Sequence, residues 1–123
     1  MEIIFTENAP QPIGPYSQAC LVNGTLYCSG QIALDAKTGE FINGNVVEQT
    51  EKCITNISEV LKSAGLGFEN VVKTTCFLSS MSDFAQFNSV YEKYFISKPA
   101  RSCVAAKELP KGALVEIEII AVK

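Results

Sequence analysis

The chain has 123 residues, 47% of them apolar, and a formal net charge of −3, which suits one domain spanning 1–123 and supplies no basic stripe for nucleic acid. It contains no histidine, which excludes serine–histidine–aspartate triads, cysteine–histidine dyads and histidine-ligated metals within the polypeptide; acid–base work falls to Glu, Asp, Tyr, Cys, Lys or held water. The 5 cysteines, Cys20, Cys28, Cys53, Cys76 and Cys103, are odd in number and widely spaced, which suits reduced thiols better than a disulfide framework or zinc.

Met1-Glu2-Ile3-Ile4-Phe5 lacks a basic stretch leading into a long apolar run, and no run approaches the ~20 apolar residues that span a bilayer, so a cytoplasmic address is expected. Glu2 to Thr6 predicts a first strand. A loop stiffened by Pro10, Pro12 and Pro15 follows, and such loops usually position something, here Tyr16. Unaided, Tyr16 reads equally well as an aromatic packed on the core. Ser17 to Val22 and Thr25 to Ser29 flank Asn23-Gly24, the signature of a type I′ hairpin, which pairs Val22 with Thr25, Leu21 with Leu26 and Cys20 with Tyr27. Cys20 and Cys28 then project from opposite faces and cannot bond to each other. Ser29-Gly30 ends that strand; a glycine there permits close approach of a ligand to the backbone, or simply marks a bulge.

Asp35 to Asn45 is a polar loop. From Val46 the period changes: Val47, Thr50, Ile54, Ile57, Leu61 and Ala64 draw one stripe of a helix that stops at Gly65. Val71 to Leu78 predicts a strand with Val72, Thr74, Cys76 and Leu78 on one face and Val71, Lys73, Thr75 and Phe77 on the other. Ser82 or Asp83 is positioned to cap a second helix carrying Phe84, Phe87, Tyr91 and Tyr94, an aromatic stripe that reads as core. Beyond Pro99 come strands over Ser102 to Ala106 and Ala113 to Val122. The order β-β-β-α-β-α-β-β gives a sheet with two helices on one face, leaving the face that carries Leu114, Ile120 and Val122 beside Glu116 and Glu118 to be buried against another subunit.

Arg101 stands after a proline-fixed turn at the mouth of a strand, and its guanidinium is a fork of donors suited to a carboxylate or phosphate. Residue chemistry alone also allows a simple salt bridge between subunits. The runs PARSCVAAKELPKGALVEIEIIAV, ENAPQPIGPYSQA, LYCSGQI and VVKTTCFL, in this order over nearly the whole chain, resemble the Rid family (reactive intermediate deaminases, also called YjgF-type or L-PSP proteins). The resemblance implies a chorismate-mutase-like α+β fold, assembled as a homotrimer with a site in each cleft between subunits. It also implies hydrolysis of 2-imino acids such as 2-iminopropanoate and 2-iminobutanoate to 2-oxo acids and ammonia, with no cofactor and no metal. On that pattern Arg101 holds the substrate carboxylate and Glu116 orients the attacking water. The Tyr16 and Ser29 hydroxyls and the Gly30 and Cys103 backbones meet the nitrogen, the Cys103 side chain serving as a wall.

Glu118, about 7 Å along the strand from Glu116, is left to pair with a neighbouring subunit or with Lys73. One departure stands out: Ile96-Ser97-Lys98 is shorter than the corresponding segment of family members, which often carry an aromatic where Lys98 stands, so the pocket rim is cationic. Two other classes remain open: an endoribonuclease, disfavoured by the missing histidine and basic stripe, and a trimer that binds small carboxylates or acts as a chaperone without catalysis. No membrane partner is expected.

Overall fold

The computed structural model describes all residues, 1–123. Six strands, β1 (Glu2–Ile4), β2 (Ala19–Val22), β3 (Thr25–Gln31), β4 (Val71–Leu78), β5 (Ala100–Ala105) and β6 (Val115–Val122), form one sheet in the order β1-β2-β3-β6-β4-β5. Helices α1 (Val46–Ser63) and α2 (Phe84–Tyr94) follow β3 and β4, so the element order is the predicted one and the architecture is α+β. Only β4 and β5 run parallel, joined through α2; every other neighbouring pair is antiparallel.

The hairpin register is the one its turn dictates: Val22 opposes Thr25, Leu21 opposes Leu26 and Cys20 opposes Tyr27, with Asn23 and Gly24 at φ +49° and +81°. Cys28 is buried while Cys20 lies on the opposite face, and all five cysteines are unpaired. Two bulges are new. Ser29 and Gly30 together oppose Glu118, because Cys28 pairs with Ile119 and Gln31 with Ile117. The second, at Val72, corrects the expected alternation of β4: Val71 is buried and Val72 half exposed, so the inward set is Val71, Thr74, Cys76 and Leu78. An extra residue shifts side-chain parity, which a strict period of two cannot represent.

The core lies between the sheet and the helices. Ile117 and Ile119 of β6 meet Ile54, Ile57 and Leu61 of α1, all almost fully buried. The stripe of α1 is wider than its apolar periodicity suggests. Gln49 and Asn56 also turn inward, because each amide finds backbone partners: Leu114 N–H donates to Gln49 Oε1 at 2.9 Å, and Asn56 Nδ2 donates to Leu34 O at 3.0 Å. A reciprocal Asn45–Glu48 capping box starts α1, and Gly65 at φ +73° ends it. The start of α2 differs from expectation. Neither Ser82 nor Asp83 caps it with a side chain; Ser80 accepts from Ser82 N–H in a preceding 3-10 turn over Met81–Asp83. No helix is long and apolar enough to cross a membrane.

The other face of the sheet has no helix over it. Ile3, Tyr27, Val104 and Val122 remain 40% to 52% exposed there, around Glu116, Glu118 and Ile120.

Candidate active site

Two concavities collect the residues singled out by the sequence, on opposite faces of the sheet. The first, about 280 Å³, lies on the face without helices and is lined by Tyr16, Gly30, Gln31, Ile32, Lys111 and Glu116 among others. One wall is the proline-rich loop, and a residue that sequence reasoning passed over holds it. Gln18 is buried, donates from Nε2 to Pro10 O at 2.9 Å and to Thr6 O at 3.0 Å, and accepts from Thr6 N–H at 2.7 Å. A glutamine at the start of a strand gives no periodic signal; only the surplus of loop carbonyls needing donors hints at it. Tyr16 itself is 53% exposed, so it is a wall residue and not a core aromatic.

The Ser29-Gly30 bulge brings the backbone against Glu116. A Cβ on Gly30 would lie 2.7 Å from Glu116 Oε2 and 2.9 Å from its Cδ, so the carboxyl rests directly on the glycine. The reading of Gly30 as a bulge and that of a close approach are thus both met, and the group approaching is the protein's own acid. Glu116 makes no salt bridge within 4.0 Å, the only ion pairs being Lys52–Asp35, Lys62–Glu59 and Lys93–Glu51. Burial, helped by the charge of Glu118, raises its pKa above the ordinary carboxyl value. Glu118 is exposed, and of the two partners expected for it Lys73 is not one within the chain, since it reaches Ser102 Oγ at 3.4 Å instead. The Ser29 hydroxyl donates to Ser17 O at 2.6 Å, which ties β3 to the loop and leaves its oxygen only as an acceptor.

The second concavity, about 580 Å³, lies beside α2 and is lined by Arg101, Asn88, Tyr91, Phe95, Lys98 and Pro99 among others. Arg101 is the second residue of β5, further inside the strand than predicted, and opposes Thr74 of β4. Its guanidinium lies 4.7 Å from the Tyr91 ring centroid and 5.4 Å from that of Phe84, and Nη1 donates to Asn88 Oδ1 at 2.7 Å. Arg101 is the chain's only arginine and has no carboxylate partner.

Cys103, two residues on, packs against the core beside Cys76. Burial pushes its thiol pKa up, against a smaller downward pull from Arg101, so the side chain is a poor nucleophile. Its backbone is better placed. β5 is the sheet edge, and Ala106 N–H donates to Leu78 O across the β4 side, so the alternation along the strand turns the Cys103 N–H outward. The short segment after α2 is one turn closed by Lys98 N–H to Phe95 O at 3.1 Å. Lys98, at φ +56°, and Lys111, at φ +57°, each hold a left-handed backbone at the rim of one concavity.

Tyr16, Gly30 and Glu116 therefore come together, as do Arg101 and the Cys103 backbone, but the two groups do not meet within one chain. β4 lies between β5 and β6, which separates their backbones by roughly 10 Å, and the side chains leave opposite faces.

The backbone superposes on a known class of small α+β proteins. It matches YyfA of Yersinia pestis, a protein of unknown function from the Rid family, with a TM-score of 0.96 and 46% identity, covering 99% of this chain and 98% of the other. It matches E. coli TdcF with bound serine with a TM-score of 0.95 and 37% identity, over 100% and 99% of the two chains. The chain is also 51% identical over 122 residues to the 2-iminobutanoate/2-iminopropanoate deaminase of Capra hircus, covering 98% of this chain and 89% of that protein. Residues 6–123 match the family model described as Endoribonuclease L-PSP, and the chain belongs to that family, which is the Rid resemblance of its motifs under another name.

Proposed function

We propose that the protein hydrolyses small 2-imino acids, of the 2-iminopropanoate and 2-iminobutanoate type, to 2-oxo acids and ammonia, working as a homotrimer. The observation that carries this reading is a pair of unmatched charges. Glu116 is a half-buried carboxyl with no cation, and Arg101 is a guanidinium with no anion, each beside a concavity sized for a small molecule. Packing the bare sheet face of one subunit against the β5 edge of another would bring both to one substrate. The Capra hircus relative is named for this chemistry.

In this reading Arg101 grips the carboxylate with two parallel hydrogen bonds. Ionised Glu116 accepts a hydrogen bond from a water and aims it at the imine carbon, taking up its proton as the C–O bond forms. Protonated Glu116 then gives that proton to the nitrogen of the carbinolamine, the C–N bond breaks to release ammonia, and the hydroxyl gives its proton back to the carboxylate as the carbonyl forms. The Cys103 and Gly30 backbones and the Tyr16 and Ser29 oxygens surround the nitrogen. A protonated imine is already electrophilic, so the step requires neither metal nor organic cofactor. Unpaired thiols suit a reducing cytoplasm.

The test is release of 2-oxobutanoate and ammonia from a threonine dehydratase reaction while semicarbazide competes for the imine. The protein should divert flux from the semicarbazone to free 2-oxo acid, and Arg101→Lys should abolish most of the diversion, since one ammonium cannot replace a two-pronged clamp. No diversion by the intact protein would overturn the reading. Cleavage of RNA by that same sample would favour the activity in the family's name instead.

A further inference from the structure

We propose that Asn88 and Tyr91 of α2 are positioning residues that hold the Arg101 guanidinium with its Nε–Nη2 edge free to receive a carboxylate. The inference rests on Arg101 being the carboxylate clamp of the proposed reaction. An arginine on an edge strand has long, freely rotating torsions, and a two-pronged grip requires its plane to be fixed before the substrate arrives. Here three contacts fix it. The Tyr91 ring, 4.7 Å away, and the Phe84 ring, 5.4 Å away, set where the charge rests, and the Asn88 bond at 2.7 Å sets its rotation within the plane. Arginine carries only donors, so the Asn88 atom facing it must be the amide oxygen.

That bond uses Nη1 and leaves the opposite edge, Nε with Nη2, without a protein acceptor. A neutral amide also does what a carboxylate could not: it orients the cation without cancelling its charge. The platform is itself anchored. Tyr91 OH and Thr74 Oγ1 lie 2.7 Å apart, and the Tyr91 ring stacks on Phe95 with centroids 4.4 Å apart and planes inclined by 26°. Thr74 is the strand partner of Arg101, so the stack closes a loop from β5 through α2 to β4. The helical aromatic stripe that reads as core thus also has a task at its outer end.

The chain's single arginine makes the test direct, because its side-chain nitrogens give one assignable set of resonances. In the intact protein, rotation of the guanidinium should be slow and the two Nη signals separate. In Asn88→Ala they should merge, the affinity for 2-oxobutanoate should fall about tenfold, and KM for 2-iminobutanoate should rise by a similar factor with kcat little changed, the pattern for lost uniform binding. Asn88→Asp should keep the Nη signals separate yet still weaken anion binding, because its carboxylate neutralises the clamp; a merely structural asparagine would tolerate it. Tyr91→Leu, which removes the ring face, should bind 2-oxobutanoate about tenfold more weakly, and Tyr91→Phe, which keeps the face but loses the bond to Thr74, should weaken binding by a smaller factor.

A folded Asn88→Ala protein with separate Nη signals and normal 2-oxobutanoate affinity would overturn the positioning, whatever the activity. An intact protein that binds 2-oxobutanoate but hydrolyses no imine would sink the functional reading, while tenfold weaker binding by Asn88→Ala would still support the positioning. Absence of any carboxylate binding by the intact protein would overturn both.

Discussion

The Glu116 carboxyl rests directly on Gly30, and a substitution there would separate the proposed function from stability. A methyl group on Gly30 would lie 2.7 Å from Glu116 Oε2, closer than real Cβ atoms approach, yet the atom it meets is the end of a flexible side chain. Gly30→Ala should therefore leave denaturation within about 1 kcal/mol of normal while lowering imine turnover at least tenfold, because the displaced carboxyl no longer aims its water. Equal turnover at equal stability would show that the position of Glu116 does not matter. The same carboxyl should leave a mark on pH dependence. Its folded pKa is raised, so its contribution to stability is fully present below the ordinary value of 4.5 and is lost as pH rises through the higher folded value. Urea unfolding of Glu116→Gln should accordingly show a smaller loss of stability than the parent as pH increases from about 4.5. Catalysis should run the other way, kcat/KM rising with pH as Glu116 ionises, with an inflection above 4.5.

The elements differ in how far their residues announce them. Asn23-Gly24 dictates the hairpin register because both positions need positive φ, and the period of α1 names its buried face because a helix keeps its phase over 18 residues. Bulges break phase, so the switch at Val72 and the seating of Gly30 against Glu116 had no periodic signature. The candidate site was legible residue by residue, through the chemistry of Arg101 and Glu116 and the resemblance of the motifs. Its supports, Gln18 and Asn88, were not, since a lone amide in a loop or helix shows its partner only after folding. The caps give a measurable contrast. Asn45 accepts from Glu48 N–H at 2.9 Å, so Asn45→Ala should cost about 1 kcal/mol in urea denaturation. Asp83, at the start of α2, makes no side-chain cap bond, so Asp83→Ala should cost less than about half that. Equal costs would mean that the sequence expectation for Asp83 describes the protein better than the geometry does.

At the scale of the whole molecule, the bare sheet face and the divided site ask for the same remedy. Ile3, Tyr27, Val104 and Val122 stand half exposed on a face with no helix, while the unpaired edge of β5 offers backbone groups beside Arg101. A cyclic trimer in which the Glu116 face of one subunit meets the Arg101 edge of the next would cover the first and complete the site three times. Subunit mixing tests this directly, because the two residues would come from different chains. Arg101→Ala and Glu116→Gln should each be nearly inactive alone. Unfolded together in equal amounts and refolded, they should form trimers in which an interface regains both native residues whenever a Glu116→Gln subunit supplies the arginine and an Arg101→Ala subunit the glutamate. Random assembly makes that about one interface in four, so the mixture should recover about a quarter of the normal imine hydrolysis. Mixing without unfolding should recover it only as fast as subunits exchange. If the refolded mixture formed mixed trimers, seen by mass spectrometry of differently tagged subunits, and still stayed inactive, Arg101 and Glu116 would not share a site across a subunit boundary.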